Sequence, residues 1–199
     1  MLDPNVHTTH DALVEEPRGC AGGDGENVVV HSRPRVVLVG PPGAGKSTIG
    51  RRLASSLNLP LVDSDQLIEE GEGKPCGDVY TDRGEEGFRE LESGYVARAL
   101  ATGGIVSLGG GAVLNEMTRA LLRPHTVVWV DVSAEEGARR TANETTRPVL
   151  AAADPIQHYR DLLARREPYY REVSDFRVRT DDRPPQRVVA EVLGIIDSL

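Results

Sequence analysis

An apolar run that ends in a glycine-rich turn and continues as a helix constrains this chain more than any other feature: Val36-Val37-Leu38-Val39-Gly40-Pro41-Pro42-Gly43-Ala44-Gly45-Lys46-Ser47-Thr48. Gly40, Gly45, Lys46 and Ser47 satisfy G-x-x-x-x-G-K-[ST], a phosphate-binding loop set between a strand and a helix. Glycines let main-chain N–H groups close on phosphate oxygens with no Cβ in the way. The helix N-terminus adds unsatisfied N–H groups and positive dipole character at the same point. In such a loop the lysine reaches the β- and γ-phosphates, and the serine hydroxyl sits on Mg²⁺. The bland alternative is a Gly/Pro turn that happens to carry a lysine. Composition argues against it: lysine occurs only at positions 46 and 74, and the other basic residues are arginine. A compact ammonium stands where phosphate chemistry favours a point charge.

At 199 residues the chain suits one domain with a substantial core. A formal charge of −8 argues against a surface that coats nucleic acid. Anionic ligands must then be met by local arginine clusters rather than by a global field. Cys20 and Cys76 read as reduced thiols, and no stretch suggests a secretory or membrane-spanning segment. The expectation is a soluble, cytoplasmic protein. Residues 1–33 show little periodicity and read as a flexible tail.

Downstream of the loop, Ile49, Leu53 and Leu57 recur at helical spacing to about Asn58, and Pro60 ends that helix. Leu61-Val62-Asp63 reads as a short strand. Asp63 and Asp65 point the same way if the extended geometry continues that far. From Gln66 to about Tyr80 the chain has helical and turn character, broken at Gly71, Gly73 and Pro75. A helix then opens near Phe88 with Phe88, Leu91, Tyr95 and Ala99 inward, and Gly87 and Gly94 are weak points in it. Ile105–Leu108 runs as a strand into Gly109-Gly110-Gly111, and Thr126–Val130 is a fourth strand. Ser133 and Glu136 have capping-box spacing. Asp154-Pro155 starts a helix expected to stop near Glu167-Pro168. Phe176-Arg177-Val178 is a last strand, and Pro184-Pro185 launches a helix with Val188, Val192 and Ile195 or Ile196 inward. This alternation implies an α/β fold with a parallel sheet covered on both faces, and with ligands at the carboxyl ends of its strands.

Each site candidate has two readings at this level. Asp63 and Asp65 are either helix caps or the acid near Mg²⁺ and the group that orients an attacking hydroxyl. Arg89 is either a solvated partner of Glu92 or a carboxylate ligand, and Arg165-Arg166 either helix-end charge or the same. Gly109–Gly111 is either a tight loop or a surface a ring can approach closely. Arg147 is either a loop residue or an arginine that stabilises charge during phosphoryl transfer.

Taken in order, the phosphate loop, Asp63-x-Asp65, Phe88-Arg89-x-x-Glu92, Gly109-Gly110-Gly111-Ala112, Arg147-Pro148-Val149-Leu150 and Arg166-x-x-x-Tyr170 resemble the shikimate kinase family over residues 35–199. The resemblance implies a three-layer α/β/α P-loop fold with five parallel strands ordered 2-3-1-4-5. It places a kinase domain over 34–199, a substrate-binding region at about 64–98 and a mobile lid at about 142–154. It also implies ATP and Mg²⁺ as cofactors, shikimate as acceptor and a monomer that binds no nucleic acid or membrane. Gly43, Ala44, Gly45, Lys46, Ser47 and Thr48 would wrap the ATP phosphates. Ser47 would ligate Mg²⁺, with Asp63 acting through water. Asp65 would hold the ring hydroxyls and orient or deprotonate the attacking one. Arg89 and Arg166 would clamp the carboxylate beside Gly109, Gly110 and Gly111, and Arg147 would come from the lid. Arg183 and Pro185 match the adenine side, with Arg140 a weaker candidate there.

Two rival readings remain at this stage. Another small-molecule kinase of this fold, such as a gluconate kinase, would not need two arginines around a carboxylate together with Asp65. A nucleotide-dependent switch would usually carry an N-K-x-D guanine motif, and the chain has none.

Overall fold

The computed structural model describes residues 33–142 and 154–199. The expectations for the segment 1–32 and for Arg147 and nearly all of the 142–154 segment lie outside the described residues. Five parallel strands, β1 (Val36–Val39), β2 (Leu61–Asp63), β3 (Ile105–Ser107), β4 (Val127–Asp131) and β5 (Phe176–Arg179), form one sheet ordered β2-β3-β1-β4-β5. This is the expected order. Val37 pairs with Val106 on one side and Val127 on the other, which puts β1 at the centre. Among the described residues, seven helices cover the sheet: α1 (Lys46–Leu57), α2 (Ser64–Glu72), α3 (Cys76–Leu100), α4 (Glu116–Leu122), α5 (Ala134–Thr141), α6 (Pro155–Val173) and α7 (Pro185–Asp197).

The central strands β1 and β4 are buried at every position, so they read as continuous apolar runs, as strands covered on both faces should. Their two-residue alternation decides which layer each side chain joins. Val36 and Leu38 pack with Ile49 and Leu53 of α1 and with Val188 and Val192 of α7. Val37 and Val39 pack with Val96 and Ala99 of α3 and with Leu122 of α4. One helix contributes to both layers. Tyr159, near the start of α6, belongs to the first cluster and Tyr170, near its end, to the second.

Local chemistry sets most boundaries. Asn58 ends α1 in the left-handed conformation at φ 52°. Asp154 caps α6 by accepting from the Gln157 N–H at 3.0 Å. Only half of the Ser133 capping box forms: the Ser133 hydroxyl accepts from the Glu136 N–H at 3.3 Å, but the Ser133 N–H donates to Asp181 instead. The Glu136 carboxylate turns to Arg139 and Arg140.

Several expectations change. The extended geometry of β2 stops at Asp63, because α2 starts immediately at Ser64. Helix α3 is broken at Gly84, where φ is 71° and ψ is 175°, so the helix expected near Phe88 starts just after that break, and a further helical stretch from Cys76 precedes it. Gly87 and Gly94 leave it uninterrupted, and Gly71 lies inside α2. Helix α6 does not stop at Pro168 but runs to Val173. Pro168 and Ala164, the residue whose carbonyl loses its helical donor, are both exposed, so water can take that carbonyl. The buried Tyr170 beyond it holds the last turn down. Arg165 and Arg166 are therefore inside the helix, not at its end. The turn of 3₁₀ helix at Ala112–Leu114 and helix α4 have no counterpart in the sequence-based expectations.

Strands β2 and β3 meet closely at their start. A Cβ at Gly104 would lie 2.2 Å from the Pro60 carbonyl oxygen, which accepts from the Ile105 N–H at 2.8 Å. Gly104→Ala is expected to lower stability by about 2 kcal/mol through overpacking, read as a reduced urea midpoint; an unchanged midpoint would show that the strands can part without cost.

Candidate active site

The carboxyl end of β1 delivers the phosphate loop. Gly40 has φ 146°, and a Cβ there would sit 2.1 Å from the Val130 carbonyl oxygen. Gly45 precedes α1 at φ 96°, so the first helical N–H groups open toward the loop. Lys46 Nζ donates to the carbonyls of Gly40 at 2.7 Å and Pro41 at 3.0 Å, which lays the ammonium along the loop. A cleft of about 510 Å³ is lined by Gly43, Ala44, Gly45, Lys46, Ser47 and Thr48. Arg140, Thr180, Arg183 and Pro185 line the same cleft. Arg140 links its elements: it pairs with Glu136 at 2.7 Å and donates to the Gly43 carbonyl at 3.3 Å and to the Thr180 hydroxyl and carbonyl, each at 3.1 Å. Arg139 and Arg140 hold the half-buried Glu136 carboxyl down at about 2, through hydrogen bonds from Arg139 first and Arg140 next. Arg183 is steadied by Glu191 at 2.6 Å.

Asp63 caps a helix and also faces the phosphate loop. Its Oδ1 accepts from the Asp65 N–H at 3.0 Å and so caps α2, while Oδ2 lies 3.5 Å from the Ser47 hydroxyl. Two hard oxygen donors thus face each other at the mouth of the phosphate loop, a set that suits Mg²⁺. Ser64, fully buried, accepts from the Gly109 N–H at 2.9 Å and ties the end of β2 to the glycine loop.

That loop packs against three site elements. A Cβ at Gly109 would lie 2.4 Å from Asp65 Oδ1 and 2.8 Å from Glu92 Oε1. One at Gly110 would lie 3.1 Å from Pro42 Cδ, and one at Gly111 would lie 2.1 Å from Arg89 Nη2. Asp65, Glu92, Arg89 and the phosphate loop therefore converge on Gly109–Gly111.

Arg89 is not a solvated partner of Glu92. The pair is 2.5 Å apart, with the Arg89 side chain 13% exposed and that of Glu92 2%. Arg89 Nε is buried without a hydrogen-bond partner among the described residues, and the guanidinium lies 5.3 Å from the Phe88 ring centroid. Burial pushes the Glu92 carboxyl up to about 7, against the opposing pull of Arg89. Half-buried Arg166 acts on the same carboxyl and on the Tyr170 phenol, which places it in this cluster. Its neighbour Arg165 is an exposed partner of Glu85 at 2.7 Å, the bland reading.

The structure thus brings together Lys46, Ser47, Asp63, Asp65, Arg89, Gly109–Gly111 and Arg166 at one edge of the sheet, with Arg183 across the nucleotide cleft. Sequence reasoning missed four contributors: the buried state of Glu92, the Ser64 tie, and the hydroxyls of Tyr159 and Tyr170. For the tyrosines a signal existed, since positions eleven apart on a helix share a face.

The shikimate kinase family model matches residues 42–197. A shikimate kinase of Corynebacterium efficiens is 67% identical over 162 residues, covering 81% of this chain and 96% of the relative. One from Corynebacterium diphtheriae is 57% identical over 167 residues, covering 84% and 96%. Among solved structures, the shikimate kinase from Acinetobacter baumannii in complex with shikimate superimposes with a TM-score of 0.79 at 33% identity, covering 83% of this chain and 93% of that one. With a match that begins inside the phosphate loop and reaches the last helix, the chain belongs to the shikimate kinase family.

Proposed function

We propose that this chain transfers the γ-phosphoryl group of ATP to the 3-hydroxyl of shikimate, giving shikimate 3-phosphate and ADP in chorismate and aromatic amino-acid biosynthesis. The observation that carries the reading is the buried Arg89–Glu92 pair, set beside Asp65 against a glycine loop that touches the phosphate loop. A guanidinium with a buried, unpartnered Nε–H is a donor prepared for an acidic ligand. Gluconate offers a carboxylate too, so the family match decides between the acceptors.

In this reading the glycine loop receives the flat of the ring, where any Cβ would collide with it or with Asp65 and Arg89. Arg89 and Arg166 hold the carboxylate and fix which hydroxyl faces the γ-phosphate. Asp65 orients or deprotonates that hydroxyl as its oxygen bonds to phosphorus and the bond to the bridging oxygen of ADP breaks. Lys46 and the loop N–H groups oppose the charge on the transferring phosphoryl group, and little covalent chemistry is asked of the protein. Ser47 and Asp63 would hold Mg²⁺, Asp63 through water; the ion supplies charge neutralisation at the phosphate oxygens. Arg183 and Pro185 would flank the adenine, joined by Arg140, whose four contacts at the cleft wall make it the stronger anchor. Arg147 would come from a lid over about 142–154. We assign the kinase domain to residues 34–199 and propose a cytoplasmic monomer. No helix among the described residues is long and apolar enough to cross a membrane.

An ATP-coupled assay with a panel of acceptors tests this reading: shikimate is expected to turn over and gluconate is not, and the reverse result sinks the proposal. In the same assay Arg89→Ala and Arg166→Ala are expected to raise KM for shikimate at least about thirty-fold, equivalent to roughly 2 kcal/mol, with KM for ATP little changed. Asp65→Asn should instead lower kcat while MgADP affinity stays. Unchanged shikimate kinetics in the arginine variants would remove the clamp.

The buried carboxyl predicts a pH signature. The folded state holds the Glu92 proton up to about 7, whereas the unfolded chain releases it near the ordinary 4.5. The unfolded state therefore binds fewer protons in that window, and this group's contribution to stability falls as pH rises from 4.5 to about 7. The stability difference between wild type and Glu92→Gln should shift against the wild type across that interval and level off above it. A difference independent of pH would show that Glu92 is ionised throughout.

A further inference from the structure

Helix α6 reaches both sides of the sheet, and the two tyrosines that anchor it do not donate to their own hydrophobic surroundings. Tyr159 Oη donates to the Pro42 carbonyl of the phosphate loop at 2.5 Å. Tyr170 Oη donates to the Gly110 carbonyl of the glycine loop at 2.5 Å. Both side chains are fully buried. Eleven positions correspond to about three helical turns, so the two Cα atoms lie on one face roughly 16 Å apart along the axis. Arg166, four residues before Tyr170, lies on that face as well.

The two acceptors are neighbours, since a Cβ at Gly110 would lie 3.1 Å from Pro42 Cδ. The loops therefore abut each other between two fixed donors. The ring of Tyr159 sits where a side chain at Gly137 would be, 2.2 Å from its Cζ, and Tyr170 stacks on Trp129 at 5.8 Å. Both rings are buried against these neighbours. Burial raises both hydroxyls, Tyr170 to about 12 and Tyr159 likewise upward, so each remains a donor at any pH at which the chain is folded and active.

We propose that Tyr159 and Tyr170 are positioning residues: α6 works as a rigid bar whose two hydroxyls set the phosphate loop and the glycine loop relative to each other, Tyr159 tuning nucleotide binding and Tyr170 tuning acceptor binding. A tyrosine that is merely a satisfied core residue would affect stability alone. The glycine-loop half of this inference rests on the function proposed above; the phosphate-loop half needs only that the chain binds ATP.

The test is calorimetric titration of the full chain with MgADP and, separately, with shikimate, for wild type, Tyr159→Phe, Tyr170→Phe and Leu162→Ala. Tyr159→Phe is expected to weaken MgADP about five-fold or more and leave shikimate within two-fold; Tyr170→Phe is expected to do the opposite. One lost neutral hydrogen bond sets that scale. Leu162→Ala, which cuts into the packing of the same helix, should lower the thermal midpoint without favouring either ligand. Folded tyrosine variants that leave both affinities intact, or weaken both equally, overturn the inference, as does a Leu162→Ala variant that reproduces the split. A wild type that binds MgADP but not shikimate removes the proposed function and the Tyr170 half with it, while the Tyr159 half is still decided by MgADP.

Discussion

The lack of a Cβ at Gly109 and Gly111 is the constraint on which the packing around the glycine loop depends. Asp65 and Glu92 approach the first glycine and Arg89 the second, each within the radius that any Cβ would occupy. The same loop is held from behind by the Ser64 hydroxyl on the Gly109 N–H and by the Tyr170 hydroxyl on the Gly110 carbonyl. A flexible tripeptide is thereby made into a shaped wall. Flexible residues are tolerable here because their conformational cost is met by bonds to buried side chains on two other elements.

Charge follows a similar logic. The chain is acidic overall, at −8, yet both of its proposed substrates are anions. Long-range attraction is therefore not available, and the site relies on short-range contacts in which desolvation strengthens each interaction. Arg89 shows the cost of that choice. Its guanidinium is withdrawn from water and must be paired, and the partner that pairs it, Glu92, is itself driven toward its neutral form by burial. The result is a cation whose position is defined and whose charge is only partly cancelled.

Much of this was legible in the chain because the relevant signals are local. The phosphate loop carries its own strand and helix. Leu61–Asp63 is bounded by Pro60, and the Asp154-Pro155 pair marks the start of α6. Four of the five strands fell within a residue or so of their expected limits, and β2 fell on them. Failures occurred where a distant contact outweighed a local preference. Pro168 should end a helix, but Tyr170 is fixed by Gly110 and Trp129, and the proline faces water. The extended run of β2 does not carry on to Asp65, because the Asp63 carboxylate caps the helix that starts at Ser64. Arg89 and Glu92 look like a solvated i,i+3 pair because spacing says nothing about which face of α3 is covered.

The sequence by itself determined the phosphate loop and the alternation of strands with helices, since these depend on residue type and on spacing along one element; the strand order and the candidate phosphate and carboxylate ligands follow from the family resemblance. Tertiary structure alone decided that Glu92 is buried, that Asp63 both caps a helix and faces Ser47, and that the phosphate and glycine loops share one helix as their support. Those facts depend on which parts of the chain, far apart in order, are packed against each other. Burial and hydrogen-bond partnership are properties of that packing and leave no periodic trace in the residues that acquire them.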